Sequence, residues 1–307
     1  MLATIFPGQG SQRPAMGSPW RDHPSWAVVE AVSAASGRDV ASLLVDADAE
    51  TLQATRNAQI AAFALSLVVL DATRRAGLAD LAVNAAAGHS LGEYTALVAT
   101  GVMTPEAGAR LVAERGDAMQ EAADKRPGTM AAVLGLDPDK VAQACEGVEG
   151  AWVANDNAPG QVVMAGSADG VAAASDAAKA LGAKRVVALA VGGAFHSPLM
   201  RPAQGRLDAA LAAVTFAPSH ATVVSNVDAA AHAEGWAPLL SAQLCAPVRW
   251  RESLLTLAGL GVDHFLELGP GAELSGMVKR TVEGASRAHV ATPSDLDDLG
   301  PFLAQGG

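Results

Sequence analysis

Basic residues are scarce in this chain: 21 lysines and arginines stand against 32 aspartates and glutamates in 307 residues, a formal net charge of −11. Neutralising a phosphate backbone takes a concentrated basic surface, so no nucleic-acid partner is expected. Cysteine is nearly absent too. Cys145 and Cys245 form no C-x-x-C pair, which argues against a disulfide framework or thiolate metal site and for two free thiols in a reducing cytoplasm. Long apolar runs are missing, since the stretch from Ile60 to Leu70 is interrupted by Ser66 and stops at Asp71, so no membrane span is expected. The opening MLATIFPGQGSQ lacks the basic segment of a secretion signal. The seven histidines show no H-x-x-x-H or comparable ligand spacing, and no metal is expected. The turn PGQGSQ has a G-x-G, but Arg13 falls where a dinucleotide fingerprint needs its third glycine, and the Gly-Lys-Ser/Thr of a P-loop is absent.

What is present is a chain that is 50% hydrophobic and long enough for one large domain or a domain with an insertion. Short apolar strands alternate with alanine-rich helical segments, which predicts an α/β architecture with a mainly parallel sheet. LATIF is a strand running into the PGQGSQ turn, Ala58 to Ala76 a buried helix, and Leu81 to Val83 a weak strand ahead of AAAGHSLGEYTA. TVVSN and HFLELG read as further strands of the same sheet, and the tail from Gly300 reads as frayed. Between them the pattern shortens. TMAAVLGL, PDKVAQACEG, AWVAN, QVVMAG, ADGVAAASDAAKALG and AKRVVALAV spell βαββαβ, the order of a ferredoxin-like unit, which is placed at 127–192 inside a large domain formed by 1–126 and 193–307.

The chain's G-x-S-x-G is Gly88-His89-Ser90-Leu91-Gly92. With a strand before it and a helix after it, this is the pattern of a nucleophile elbow, and the amide of Leu91 at the helix N-terminus faces a developing oxyanion. A serine needs a base. His196, in GGAFHSPLM after a predicted strand end, is the best-placed candidate, whereas the side chain of His89 must point away from that of its neighbour. The helix capped by Thr104 and opened by Pro105 carries an apolar stripe through Leu111, Val112, Ala118 and Met119, and Arg115 lies on that stripe. A buried guanidinium needs an anion, from a protein carboxylate or a ligand.

Taken together, FPGQGSQ, GHSLGE, VAERGDAMQEA, NDNAPGQVVMAG, AFHSPLM, SNVDA, PVRWRESL and LELGPG resemble the malonyl-CoA:acyl carrier protein transacylases and the acyltransferase domains of polyketide and fatty-acid synthases. The motifs fall in the family's order from Phe6 to Gly271. The resemblance implies an α/β-hydrolase-like large domain with the ferredoxin-like insertion. It implies Ser90 as nucleophile, His196 as base, the amides of Gln9 and Leu91 as oxyanion hole, and Arg115 as partner of the malonyl carboxylate. It assigns orientation of the histidine to a backbone carbonyl, here that of Gln243, and puts Asn155, Asn157 and Gln161 near the pantetheine arm.

Phe195, just before the histidine, resembles malonyl-selective members, while Gly192-Gly193-Ala194 departs from the fatty-acid form. The implied reaction is ping-pong transfer of malonyl from CoA to an acyl carrier protein, with no cofactor beyond these substrates. A stand-alone polyketide acyltransferase with another extender unit, an editing thioesterase and a non-catalytic docking module remain as alternatives. Carrier proteins are typically acidic, so a local basic patch is expected, with Lys184, Arg185, Arg201, Lys279 and Arg280 as candidates.

Overall fold

A computed structural model describes residues 1–77 and 83–306. Two sheets organise the described residues. The larger has six strands in the order β10-β9-β1-β2-β7-β8, with β1 Leu2–Phe6, β2 Val83–Gly88, β7 Thr222–Val224, β8 Ala231–His232, β9 His264–Leu268 and β10 Ser286–Val290. Every neighbouring pair is parallel except β7 and β8. Alternation along β1 distributes the core to both faces: Ala3 and Ile5 join Trp250, Leu254, Phe265 and Leu274, whereas Leu2 and Phe6 join the cluster around the helix Thr55–Arg75. Helices on both faces explain why the inner strands are largely apolar and buried.

Among the described residues the alanine-rich strand continues past Val83, the end of the expected span, as far as Gly88. Leu81 and Ala82 fall outside the described residues, and β2 pairs with β1 from Ala3↔Ala85 to Phe6↔Gly88. Strand propensity is poor here, but tertiary pairing between β1 and β7 overrides it, and small side chains let helices close on both faces. The tail also differs from expectation. Leu299–Gly306 is a helix, because Leu299 and Leu303 lie four residues apart and both bury their side chains.

The second sheet has the order β4-β5-β3-β6, all antiparallel, formed by β3 Thr129–Leu134, β4 Ala151–Ala158, β5 Gln161–Gly166 and β6 Arg185–Ala188. Its helices, Pro138–Cys145 and Ala168–Ala180, pack on one apolar cluster that includes Val133, Val141, Val162, Met164 and Ala174. β4 meets the larger unit through backbone bonds between Val248 and both Ala154 and Asp156, each 2.9 Å, and through the ion pair of Asp156 with Arg251 at 2.8 Å. Among the described residues no helix is long and apolar enough to cross a membrane.

Candidate active site

Because β1 and β2 end in register at Phe6 and Gly88, the PGQG loop and the Ser90 turn emerge side by side at one edge of the sheet. Their closeness admits no side chain at two points. A Cβ on Gly92 would lie 2.0 Å from the carbonyl oxygen of Phe6, and one on Gly8 would lie 2.4 Å from that of His89. Ser90 itself has φ of 52°, a left-handed conformation that strains a side-chain-bearing residue. Its backbone is held on both sides. The Ser90 amide donates to Asn226 Oδ1 at 2.7 Å, and Gln243 Nε2 donates to the Ser90 carbonyl at 3.0 Å. Asn226 Nδ2 completes the clamp by donating to Gly88 O at 2.8 Å.

Ser90 Oγ lies 2.7 Å from His196 Nε2, and His196 Nδ1 lies 2.8 Å from the backbone oxygen of Gln243. A carbonyl oxygen only accepts, so Nδ1 carries the proton and Nε2 is left to accept from the serine hydroxyl. Burial, and then the charge of Arg115, depress the imidazole to about 3, so it is neutral and competent as an acceptor at neutral pH.

Arg115 is fully buried on the helix Pro105–Lys125, whose Thr104 cap accepts from the Ala107 amide at 3.2 Å. Its Nη1 donates to Gln59 Oε1 at 2.7 Å, and its Nη2 donates to Gln243 Oε1 at 2.9 Å and to Ser90 Oγ at 3.1 Å. The guanidinium carbon stands 5.2 Å from the centre of the Tyr94 ring, and Nε has no partner among the described residues. Burial pushes its pKa down, yet a guanidinium stays charged at any ordinary pH. No carboxylate among the described residues makes an ion pair with it. On the outer face of the same helix, Arg206 bridges Glu114, Asp117 and Glu121, which fixes the rotation that aims Arg115 inward.

The remaining sequence-based candidates divide. The amides of Gln9 and Leu91 donate to no acceptor among the described residues, and the Cβ position of Gly8 lies 3.5 Å from Leu91 N, so the two loops pack side by side. Phe195 is buried with its ring near Gly193. Asn157 Oδ1 reaches His89 Nε2 at 2.7 Å, so His89 does turn away from the serine and ties β4 to the elbow. Asn155 is buried and bridges to Val248. Gln161 is half-buried, bonds Arg280 and does not enter the hydrogen-bond network of Ser90. Sequence reading missed Gln59, Glu93 and Asn226. Glu93 and Asn226 stand inside the quoted GHSLGE and SNVDA, and Gln59 is a polar residue at the head of the apolar run Ile60 to Leu65, a signal that such a position carries.

Residues 4–297 match the family model of the acyl transferase domain. The chain is 39% identical over 304 residues to the malonyl CoA-acyl carrier protein transacylase of Bacillus subtilis strain 168, covering 96% of this chain and 95% of that one. It is 40% identical over 304 residues to the enzyme of the same name from Escherichia coli K12, covering 96% and 97%. Among solved structures, the acyl-carrier-protein S-malonyltransferase of Burkholderia pseudomallei 1710b superposes with a TM-score of 0.92 at 38% identity, covering 97% of this chain and 98% of that one. A malonyl-transacylase in complex with a type II PKS acyl-carrier protein superposes with a TM-score of 0.93 at 36% identity, covering 99% of each chain.

Proposed function

This chain belongs to the acyl transferase domain family, and on that premise we propose that it transfers a malonyl group from malonyl-CoA to the phosphopantetheine thiol of an acyl carrier protein. The observation that carries the reading is Arg115 Nη2 held 3.1 Å from Ser90 Oγ with no carboxylate of its own. A buried cation within one hydrogen bond of the nucleophile suits an acyl group that ends in a carboxylate.

In the cycle, His196 Nε2 takes the hydroxyl proton as Ser90 Oγ attacks the thioester carbonyl, and the oxyanion accepts from the amides of Gln9 and Leu91. Collapse expels the CoA thiolate, which leaves as the thiol with the proton held by His196. The carrier thiol then gives its proton to His196 and attacks the malonyl-serine, so the second half runs the first in reverse. Gln243 O holds the imidazole in the required tautomer, the part an aspartate plays in a triad. Phe195 restricts the space beside the α-carbon and favours malonyl over branched units. Asn155, Asn157 and Gln161 are assigned to the pantetheine side. Side chains, backbone groups and the two thiol substrates supply every group the proposal uses, so no metal or cofactor enters it.

We read 1–126 with 193–307 as an α/β-hydrolase-like domain and 127–192 as a ferredoxin-like insertion; the strand order β4-β5-β3-β6 within a βαββαβ run supports this division. Cys145 and Cys245 are free thiols, which suits the cytoplasm as location. Carrier docking is assigned to a basic patch drawn from Lys184, Arg185, Arg201, Lys279 and Arg280.

The test is intact-protein mass spectrometry after brief mixing with malonyl-CoA, acetyl-CoA or methylmalonyl-CoA, followed by a holo carrier protein. A malonyl adduct on Ser90 that moves to the carrier is the expected result. An adduct that decays to free acid without loading the carrier makes this a hydrolase instead.

A further inference from the structure

Glu93 lies three residues beyond Ser90, and its carboxyl is turned back under the elbow into fully buried space. Oε2 accepts from Gln243 Nε2 at 2.6 Å and from the Asn226 amide at 3.2 Å, while Oε1 has no partner among the described residues. Glu93 makes no direct contact with Arg115. The side-chain amide of Gln243 stands between them, its Nε2 on Glu93 and its Oε1 on Arg115 Nη2 at 2.9 Å.

An ionised carboxylate only accepts and a guanidinium only donates, so the two ends dictate which way round the amide sits. A flipped Gln243 would point its NH2 at the guanidinium and its oxygen at the carboxylate. In the orientation observed, the same Nε2 also reaches the Ser90 carbonyl, and the backbone oxygen of the same residue takes the His196 Nδ1 proton. Asn226, the second residue on Glu93, accepts from the Ser90 amide. Gln243 and Asn226, which between them hold the nucleophile, its base and one side of the cation, therefore converge on one carboxyl.

We propose that Glu93 is a positioning residue of the acyl-transfer site: its carboxylate, linked to Arg115 only through the Gln243 amide, fixes that amide and so sets the reach of Ser90 toward His196 and aims the guanidinium at the substrate. For Arg115 this rests on the acyl-transfer reading; for Ser90 it does not.

The titratable groups coupled to Glu93 are Arg115 from the neighbouring helix and Tyr94 beside it on its own helix, while Gln243, Asn226 and Ser225 are its polar neighbours. Burial raises Glu93 to about 7 and Tyr94 to about 12, and lowers Arg115, His89 and, to about 3, His196. Of these, Glu93 is the group set to change charge through neutrality.

The experiment is labelling of Ser90 by a fluorophosphonate, which needs nucleophile and base but no substrate carboxylate, across about pH 5 to about pH 9. It is run on the full-length wild type, Glu93→Gln and Glu93→Asp, with malonyl and acetyl loading rates beside it and thermal unfolding as the check on folding. The wild-type rate is expected to rise through about pH 7, Glu93→Gln to label about tenfold more slowly on a flat profile, and Glu93→Asp to recover part of the rise. Malonyl loading in Glu93→Gln is expected to fall more than acetyl loading, because Gln243 no longer holds Arg115. Wild-type labelling rate and pH profile in Glu93→Gln would overturn the proposal. Should that variant not fold, Glu93→Asp decides: slower labelling with malonyl loading reduced more than acetyl loading supports the role, and wild-type rates for all three remove it. Ser90 labelling that depends on Glu93 in a protein that takes no malonyl group sinks the transferase reading and leaves this one standing.

Discussion

Arg115 Nη2 and Ser90 Oγ are 3.1 Å apart, so the fixed cation and the nucleophile of this site share one hydrogen bond. That spacing limits the acyl group to one whose carboxylate and thioester carbonyl are close in the chain, as they are in a malonyl unit. It also lowers the basicity of His196 through the charge of Arg115, and a substrate carboxylate on the guanidinium would relieve that effect.

Arg115→Ala is expected to slow malonyl loading of Ser90 by about 10² to 10⁴, the rate equivalent of the roughly 3 to 5 kcal/mol lost when one partner of a buried ion pair is removed. Acetyl loading should suffer far less. Rapid-quench mass spectrometry with both thioesters measures this, and equal losses for the two acyl groups would refute the carboxylate-binding role.

Ser90 adopts φ of 52°, where glycine is comfortable and alanine is not. Ser90→Gly should therefore unfold at a higher temperature than Ser90→Ala, by the equivalent of about 1 kcal/mol, while neither forms an acyl-enzyme. Identical melting temperatures would mean that the turn relaxes once the hydroxyl is gone.

A Cβ on Gly8 would sit 2.4 Å from a backbone oxygen of the elbow, so Gly8→Ala must push the two loops apart. With Gln9 and Leu91 as oxyanion donors, the expected loss is about 10² or more in acylation rate. Substrate dissociation constants, measured by calorimetry on the Ser90→Ala background, should change little. A loss confined to binding would place the oxyanion donors elsewhere.

Glu93 rises from 4.5 to about 7 on folding, so the folded protein holds this proton more tightly than the unfolded chain does. The stabilisation is complete below about pH 4.5 and is lost as pH rises through about 7, a change of roughly 3 kcal/mol from this group. His196 works in the opposite sense, since its depressed pKa costs stability as pH falls below 6.5 toward 3. Denaturant unfolding of wild type against Glu93→Gln, compared from pH 5 to pH 8, isolates the first effect: the variant should gain on the wild type with rising pH. A constant difference across that range would show that Glu93 does not titrate there.

Much of this site was legible locally. The glycines around Ser90, the strand before it and the helix after it are consequences of neighbouring residues, as is the Thr104-Pro105 start that sets the phase of Arg115. Secondary-structure order also exposed the βαββαβ run, because each of its elements carries its own period and turn residues. The short edge strands β8 and β10 and the helix at Leu299 were not legible, since their apolar content is low or their burial depends on a distant surface.

The sequence by itself determined that a serine would stand on a strained turn and that an arginine would be buried on a helix, because backbone sterics and amphipathic spacing act over a few residues. Only the tertiary structure decided that His196 serves that serine, that Gln243 supplies both a carbonyl and a bridging amide, and that Gln59, Glu93 and Asn226 belong to the site. Those partners lie between 17 and 153 residues from the groups they touch or farther along the chain than any local rule can see. Hydrogen bonds of 2.6 to 3.1 Å select among them by position and direction, quantities that exist only once the strand ends have been brought to one edge of the sheet.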